Sequence, residues 1–167
     1  MQFNTASSPI NQLVFSNEFL EVWKDEVSGQ HSTFSTVNYQ PEDIICDFGA
    51  SAIVQTPSYL TVQLNINEHI YLQPSFLQYI NHSCSPNVFF DTTSLKVICL
   101  KEIKASDELS YFYPSTEWKM AQPFQCVCGS DNCLGFIGGA SYLSKDNMHA
   151  YRFSDFIFHQ LTDKFSK

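Results

Sequence analysis

Four cysteines in two distant segments of the chain have the residue type that binds a structural metal ion. Three of them form a Cys-x-Cys-x4-Cys cluster at Cys126, Cys128 and Cys133, and Cys84 lies far upstream in the sequence Asn81-His82-Ser83-Cys84-Ser85-Pro86-Asn87. A structural zinc ion prefers four tetrahedral ligands, usually cysteine and histidine. Three thiols leave one position open, so the sequence predicts that Cys84 is the fourth zinc ligand.

A redox function is the alternative interpretation of closely spaced cysteines, and it predicts activity from Cys126 or Cys128 without a metal. The cluster lacks the Cys-x-x-Cys spacing of the usual redox motif. Gly129 and Gly135 flank the thiols and permit the tight backbone of a metal-binding loop. Zinc is therefore the favoured interpretation, and it would fix the segment after Pro114 onto the segment around Cys84.

Length and charge restrict the classes of function. The chain has 167 residues and is 44% hydrophobic, which suits one domain with a substantial core. Its formal charge of −8 argues against direct nucleic-acid binding, which needs a basic surface. An acidic face favours a basic protein or peptide partner, although solubility alone also explains such a charge. Nothing in the sequence predicts an oligomeric state.

The N-terminal segment does not resemble an export signal. Residues 1–16 contain no basic region followed by a long apolar run, and no stretch of about 18 apolar residues occurs anywhere in the chain. We therefore expect an intracellular protein, cytoplasmic or nuclear, without a membrane segment. The six cysteines are then expected to be thiols or metal ligands, with Cys46 and Cys99 in the core.

Short segments of β-branched and aromatic residues predict a mostly β fold. They lie at 20–24, 33–37, 43–48, 60–64, 69–72, 88–91, 95–100 and 108–113. Residues 91–94 supply polar turn chemistry for a hairpin, and residues 74–80 suggest one or two helical turns. Ser144 is a candidate N-cap for a C-terminal helix. Its apolar face would carry Ala150, Phe153, Ile157, Leu161 and Phe165.

Three motifs, in this order along the chain, resemble one known family. They are the segment from Asn81 to Asn87, the sequence Asp107-Glu108-Leu109-Ser110-Tyr111-Phe112-Tyr113, and the three-cysteine loop. Together they resemble the SET domain of protein lysine methyltransferases with its post-SET zinc segment. The resemblance covers roughly residues 19 to 140. It implies a β-clip fold of several small sheets, in which the Asn81 segment forms a pseudoknot beside the strand ending at Tyr113.

The resemblance also implies a division of the chain into segments. Residues 1–18 would be an N-terminal lead, 19–113 the SET domain, 114–140 the post-SET zinc segment and 141–167 a C-terminal helix. The implied cofactor is S-adenosylmethionine, together with one structural zinc ion. The positions that match its pocket are His31, Tyr79, Asn81, His82, Tyr113, Phe136 and Ile137.

Tyr113 matches the catalytic tyrosine of the family, and Tyr111 matches a position that influences the number of methyl groups added. Methyl transfer to lysine needs an uncharged amine in line with the methyl group. A dry aromatic channel beside a sulfonium cation disfavours the ammonium form, so no strong general base is required. The resemblance thus implies a protein-lysine N-methyltransferase acting on a histone or another basic tail, with mono- or dimethylated products.

Several positions depart from the family pattern. The Gly-x-Gly segment that approaches the cofactor should lie near Gln30-His31-Ser32, where neither outer residue is glycine, and Gly29 is one residue away. Phe112 stands where the family often carries aspartate. The alternative interpretation is therefore a catalytically inactive SET-like module that binds a partner.

Overall fold

The computed structural model describes residues 11–166 as several small β-sheets followed by two short helices. The predicted N-terminal lead thus lies partly outside the described residues, at 1–10, and so does Lys167. Within the described part there are 13 strands. They are β1 Asn11–Ser16, β2 Leu20–Asp25, β3 His31–Ser35, β4 Ile44–Asp47, β5 Gly49–Val54, β6 Thr61–Gln63, β7 His69–Gln73, β8 Asn81–His82, β9 Val88–Asp91, β10 Lys96–Cys99, β11 Ser110–Tyr111, β12 Phe124–Gln125 and β13 Phe136–Ile137.

The strands form four sheets, which confirms the predicted mostly β architecture. Two are three-stranded, in the orders β1-β2-β3 and β5-β7-β6, and β12 pairs with β13. The largest sheet has the order β4-β10-β9-β11-β8. The antiparallel pair β9 and β10 confirms the hairpin at residues 91–94. The 3-10 helix Ser75–Tyr79 confirms the helical turns that lead into Asn81.

Strand β11 brings the two central motifs together. It runs parallel to β8 on one side, with Ser110 opposite Asn81 and Tyr111 opposite His82, and it also pairs in parallel with β9. Buried apolar side chains from β2, β7, β9 and β10 fill the main core beneath these strands. The packing of that core holds residues 79–84 beside residues 110–113.

Strand β1 and strand β5 are not among the segments that the sequence pattern predicted. The sequence of β1, Asn-Gln-Leu-Val-Phe-Ser, shows no alternation of apolar and polar residues, and all six residues are exposed in the structure. It nevertheless pairs with β2 in an antiparallel register. Residues 11–16 of the predicted lead are therefore part of the first sheet.

The C-terminal segment is helical as predicted, but it is divided into two helices, α1 Lys145–Ala150 and α2 Asp155–Phe165. Ser144 caps α1 as predicted, and Ser154 caps α2, with its side chain accepting from Ile157 N. The Ser154 N–H donates to Ser115 O at 2.9 Å, which anchors the break between the helices. Phe153, Ile157 and Leu161 are buried in a second core around Phe112, whereas Ala150 is exposed.

Candidate functional site

Four thiols from two distant segments meet at one point of the structure. The Sγ atoms of Cys84, Cys126, Cys128 and Cys133 all lie within 4.8 Å of one another. Four sulfur atoms about 2.3 Å from a tetrahedral zinc ion would be about 3.8 Å apart. The Cys84–Cys126 Sγ distance of 4.0 Å is close to that value. The donor set therefore fits a metal ion of the predicted type.

Backbone N–H groups donate hydrogen bonds to two sulfur atoms of the cluster. Leu134 N donates to Cys84 Sγ at 3.4 Å, and Cys84 N donates to Cys128 Sγ at 3.5 Å. Burial raises the pKa of the Cys84 thiol. The hydrogen bond from Leu134 lowers this pKa in part, and the neighbouring Cys126 and Cys128 raise it. Burial also raises the pKa of the Cys126 thiol, whereas hydrogen bonds, chiefly with the Ser130 hydroxyl and from Cys84 N, lower the pKa of Cys128 to about 5 against the effect of burial. The cluster can therefore hold one thiolate by itself, and a cation would favour ionisation of the others. The cluster is thus arranged for a metal rather than for an exposed redox pair.

The cysteine loop is attached to the segment around Cys84 by hydrogen bonds to one carbonyl oxygen. The Asn132 side-chain amide donates to Cys84 O at 2.7 Å, and the Tyr151 hydroxyl donates to the same oxygen at 3.0 Å. Tyr151 also stacks on Phe112, with ring centroids 3.8 Å apart. Phe112, at the position where the family often has aspartate, therefore joins the C-terminal segment to the site.

Gly129 and Gly135 shape the cysteine loop, as the sequence predicted. Their φ angles are +72° and +75°, a left-handed conformation that favours glycine. Gly129 directly follows Cys128, and Gly135 lies two residues after Cys133. The tight backbone at these points turns the thiols of one short segment toward Cys84.

His82 lies between the cysteine cluster and Tyr113. Its Nδ1 accepts a hydrogen bond from Tyr113 N at 3.2 Å, and its Nε2 lies 3.4 Å from Cys84 Sγ. Burial lowers the pKa of His82 to about 4, so the ring is neutral, with its proton on Nε2. The ring packs edge-on against Tyr113 and Phe124, at centroid distances of 5.2 and 5.5 Å. His82 thus links the position of Tyr113 to that of the cysteine cluster.

The Tyr113 hydroxyl reaches the backbone of the Asn81 segment. It donates to Ile80 O at 3.3 Å, a carbonyl between two of the residues predicted to bind cofactor, Tyr79 and Asn81. Burial raises the pKa of Tyr113 to about 12, so the phenol stays protonated at neutral pH. It can donate and orient, but it cannot act as a base without a large energetic cost.

His31, Tyr79 and Asn81 lie together on the same side of the Asn81 segment. The rings of His31 and Tyr79 are stacked at a centroid distance of 4.3 Å, and Asn81 Nδ2 donates to His31 O at 2.8 Å. Gly29 closes the turn between β2 and β3, with a φ of +74° and its N–H donating to Asp25 O at 2.8 Å. The turn therefore explains the conformation of Gly29. Residues 30–32, where the family pattern has Gly-x-Gly, contain no glycine.

Phe136 and Ile137 are the remaining positions predicted to contact the cofactor. They line a cavity of about 250 Å³ together with Pro114 and Tyr142. Ile137 is 1% exposed and Phe136 is 42% exposed, because they alternate along β13. None of His31, Tyr79 and Asn81 lines that cavity. The two groups therefore do not share this cavity, although Ile137 pairs across the small sheet with Phe124, which packs against His82 and Tyr113.

A cavity of about 300 Å³ opens beside Tyr113 and Tyr111. Its walls are mainly apolar and aromatic, and they include Tyr59, Met120 and Phe124. The rings of Tyr111 and Tyr113 lie 4.6 Å apart, so both phenols belong to one wall. A narrow cavity with aromatic walls suits an extended aliphatic side chain with a polar end.

Sequence reasoning did not identify two residues of this cavity, Glu117 and Phe124. Phe124 packs edge-on against Tyr113 at 6.1 Å, and Glu117 is a buried carboxyl group on the cavity wall. The sequence signal for Glu117 is one acidic residue between two large aromatic residues, Tyr113 and Trp118. Only the contact with Gln63 on β6 shows that its side chain points inward.

Comparison with known proteins identifies the relatives of this chain. The SET domain family model matches residues 5–114, which excludes the cysteine loop. A protein of Aspergillus flavus named Methyltransferase flvH is 44% identical over 96 residues, or 56% of this chain and 53% of that protein. The chain therefore spans about half the length of that relative.

More distant relatives are named Histone-lysine N-methyltransferase, H3 lysine-36 specific. The protein from Chaetomium globosum is 35% identical over 68 residues, which are 37% of this chain and 8% of that protein. The protein from Saccharomyces cerevisiae is 30% identical over 74 residues, which are 41% of this chain and 10% of that protein. The aligned part is a small fraction of these longer proteins. No helix within residues 11–166 is long and apolar enough to cross a membrane.

Proposed function

Because this chain belongs to the SET domain family, we propose that it is an S-adenosylmethionine-dependent protein-lysine N-methyltransferase with one structural zinc ion. The observation that carries the proposal is the hydrogen bond from Tyr113 to Ile80 O, which sets a phenol between the cavity and the Tyr79–Asn81 segment. A methyl donor on one side and an amine on the other would meet at this hydroxyl. Tyr113 and Tyr111 are the proposed catalytic residues.

The residues of the chain would bind, orient and desolvate the two reactants. S-adenosylmethionine, when bound, supplies the methyl group from a sulfonium centre, and His31, Tyr79, Asn81, His82 and Tyr113 are the proposed contacts. The aromatic walls exclude water from the amine, which favours its uncharged form. The raised pKa values of Tyr111 and Tyr113, both caused mainly by burial, keep these phenols as hydrogen-bond donors or acceptors for the reacting groups.

Phe136 and Ile137 are proposed as further cofactor contacts at the cysteine-loop side. This part of the proposal rests on the resemblance of the cysteine-loop sequence to the post-SET segment, because the family match ends at residue 114 and the two residues line a cavity of their own. The zinc ion, held by Cys84, Cys126, Cys128 and Cys133, would fix that loop against the SET domain. The division into segments 19–113, 114–140 and 141–167 is likewise proposed from the resemblance of the sequence motifs.

A basic protein tail is the proposed substrate, and a histone is the first candidate. The formal charge of −8 supports attraction of a Lys/Arg-rich partner. The names of the more distant relatives, which are histone-lysine N-methyltransferases, support the histone. A histone substrate would place the protein in the nucleus.

A catalytically inactive SET-like binding module is the second candidate. It is supported by the absence of glycine at positions 30 and 32 and by the role of Gly29 in the hairpin turn. Calorimetric titration of the zinc-loaded protein with S-adenosylmethionine separates the two candidates. An enzyme binds one cofactor per chain, and an Asn81→Ala variant should bind more weakly. A folded protein without detectable binding would favour the module.

A further inference from the structure

A buried carboxyl group lies on the wall of the cavity beside the two tyrosines, and the chemistry described above does not use it. Glu117 is 6% exposed and lines the cavity together with Tyr111 and Tyr113. Its backbone N–H donates to Tyr113 O at 3.1 Å, so the residue follows the proposed catalytic tyrosine by one turn of chain. Glu117 is therefore held at a fixed position relative to the site.

The backbone around Glu117 is anchored on both sides. Its carbonyl oxygen accepts from Ala140 N at 2.7 Å, and the next residue, Trp118, donates its N–H to Gln63 Oε1 at 2.9 Å. Gln63 N in turn donates to Glu117 Oε1 at 2.8 Å. These contacts orient the side chain, because the carboxyl group and the backbone on either side of it are bound to different parts of the fold.

The second carboxyl oxygen has no partner of its own. Within residues 11–166, no group donates a hydrogen bond to Glu117 Oε2, and neither of the ion pairs involves Glu117. The described residues that line the cavity include no Lys, Arg or His, and Glu117 is the one carboxylic acid among them. A buried carboxylate without a cation is costly, so a ligand that brings a cation into this cavity would be stabilised there.

The titratable groups near Glu117 do not supply that cation. Tyr111 and Tyr113 are neutral phenols, since burial raises the pKa of each. His69 lies across the β6–β7 pair from Gln63, and burial lowers its pKa. The Glu117 carboxyl group thus faces neutral groups only, which leaves the cavity with an acceptor for a positively charged ligand.

We propose that Glu117 binds the ammonium group of the substrate side chain and accepts the proton that this group loses before methyl transfer. The inference rests on the proposed function for its role in catalysis. In the proton-transfer step an N–H bond of the ammonium breaks and an O–H bond forms on Glu117. The N–H electron pair stays on nitrogen as the lone pair, and the proton later passes to water when the product leaves.

The environment of Glu117 suits this role. Burial raises the pKa of Glu117 to about 8, against the opposing effect of the hydrogen bond from Gln63. This pKa is closer to that of a lysine amine than the pKa of an exposed carboxyl group is. A smaller difference between the two pKa values makes the proton transfer less uphill. The same carboxylate would select an amine over a neutral side chain of equal length.

The test uses small probes that do not depend on methyl transfer. Binding of n-butylammonium, which resembles the end of a lysine side chain, is measured by NMR titration and compared with that of 1-butanol, a neutral molecule of the same shape. At about pH 9 Glu117 is ionised, because its pKa is about 8, and butylammonium still carries its charge. Wild-type protein should then bind butylammonium at least about tenfold more tightly than butanol. Glu117→Gln keeps an acceptor for Gln63 N but loses the charge, and it should remove this preference. Glu102→Gln changes an exposed carboxyl group and should behave like the wild type.

The outcomes separate this inference from the proposed function. Equal binding of butylammonium and butanol by wild-type protein would overturn the inference, and this result does not require the variant to fold. A folded Glu117→Gln protein that keeps the preference would overturn it as well. If the wild type shows the preference but transfers no methyl group to any histone or to any protein of a whole-lysate panel, the proposed function fails while the amine site stands.

Discussion

The Glu117→Gln substitution should change how the stability of the protein depends on pH. In the folded protein the pKa of Glu117 is raised from 4.5 to about 8, because burial penalises its charged form. In the unfolded chain the carboxyl group ionises near its ordinary value. Between these two values the folded state holds a proton that the unfolded state has lost.

The sign of the effect follows from this difference in bound protons. The folded state binds more protons than the unfolded state between pH 4.5 and about 8, so the free energy of unfolding falls as the pH rises through this interval. The contribution of Glu117 is most favourable below pH 4.5 and is lost by about pH 8. Glutamine does not titrate and therefore lacks this slope.

The magnitude can be derived from the same shift. The difference between about 8 and 4.5 is about 3.5 pKa units, and each unit corresponds to about 1.4 kcal/mol. The maximal loss of folding free energy is thus on the order of 5 kcal/mol, and structural relaxation around the charge would make it smaller. Even a fifth of this value is measurable by urea unfolding.

The assay is urea unfolding of the wild type and of Glu117→Gln at several pH values from 5 to 8.5, at a fixed zinc concentration. Contributions from histidines and cysteines are present in both proteins and cancel in the difference. The wild type should lose stability relative to the variant as the pH rises. A difference that stays constant over this range would refute the argument that Glu117 is a buried acid with a raised pKa.

Three further substitutions test other parts of the site. Cys84→Ser should reduce bound zinc below one ion per chain and weaken S-adenosylmethionine binding, because structural zinc contributes on the order of 10 kcal/mol to such sites. Elemental analysis measures the zinc content and calorimetry measures the cofactor affinity, with Cys46→Ser as the control. Full cofactor affinity in Cys84→Ser would contradict the coupling between zinc and cofactor binding. Tyr111→Phe should shift products toward higher methylation, and an unchanged product distribution in mass spectrometry would oppose that role. Gly139→Ala should lower the free energy of unfolding by more than about 1 kcal/mol, because its φ is +107° and the new Cβ would lie 2.6 Å from Trp118 O. Gly29→Ala, with a φ of +74° but no atom within 4 Å, should cost less, and equal losses would show that the contact is unimportant.

Much of the fold was predictable because its strands carry a local signal. Segments such as 88–91 and 95–100 combine β-branched and aromatic residues with a polar turn, and they form the β9–β10 hairpin. Strand β1 was missed because its three apolar residues, Leu13 to Phe15, are consecutive and do not alternate with polar ones, and its pairing with β2 fixes it in place. The break after α1 was also not predictable, because it depends on the stacking of Tyr151 on the distant residue Phe112.

The candidate site shows the same limit. The spacing of Cys126, Cys128 and Cys133 left one metal position open, and the structure brings Cys84 to it. Glu117 gave no comparable signal, because its environment is formed by a residue on another sheet, Gln63. Local motifs therefore revealed ligands and the tyrosines, whereas burial of an isolated acid depends on how the sheets pack.

Transfer of a labelled methyl group to lysine tests the central claim most directly. The zinc-loaded protein is incubated with S-adenosylmethionine that carries a trideuterated methyl group and with histone H3, and the lysines are analysed by mass spectrometry. We expect deuterated mono- or dimethyl-lysine, and a decrease of about 100-fold or more for Tyr113→Phe, which keeps the ring but loses the hydrogen bond to Ile80 O. Labelling of lysine at the same rate by the folded Tyr113→Phe variant would contradict the account, and so would the absence of labelled lysine from histones and from a whole-lysate protein panel.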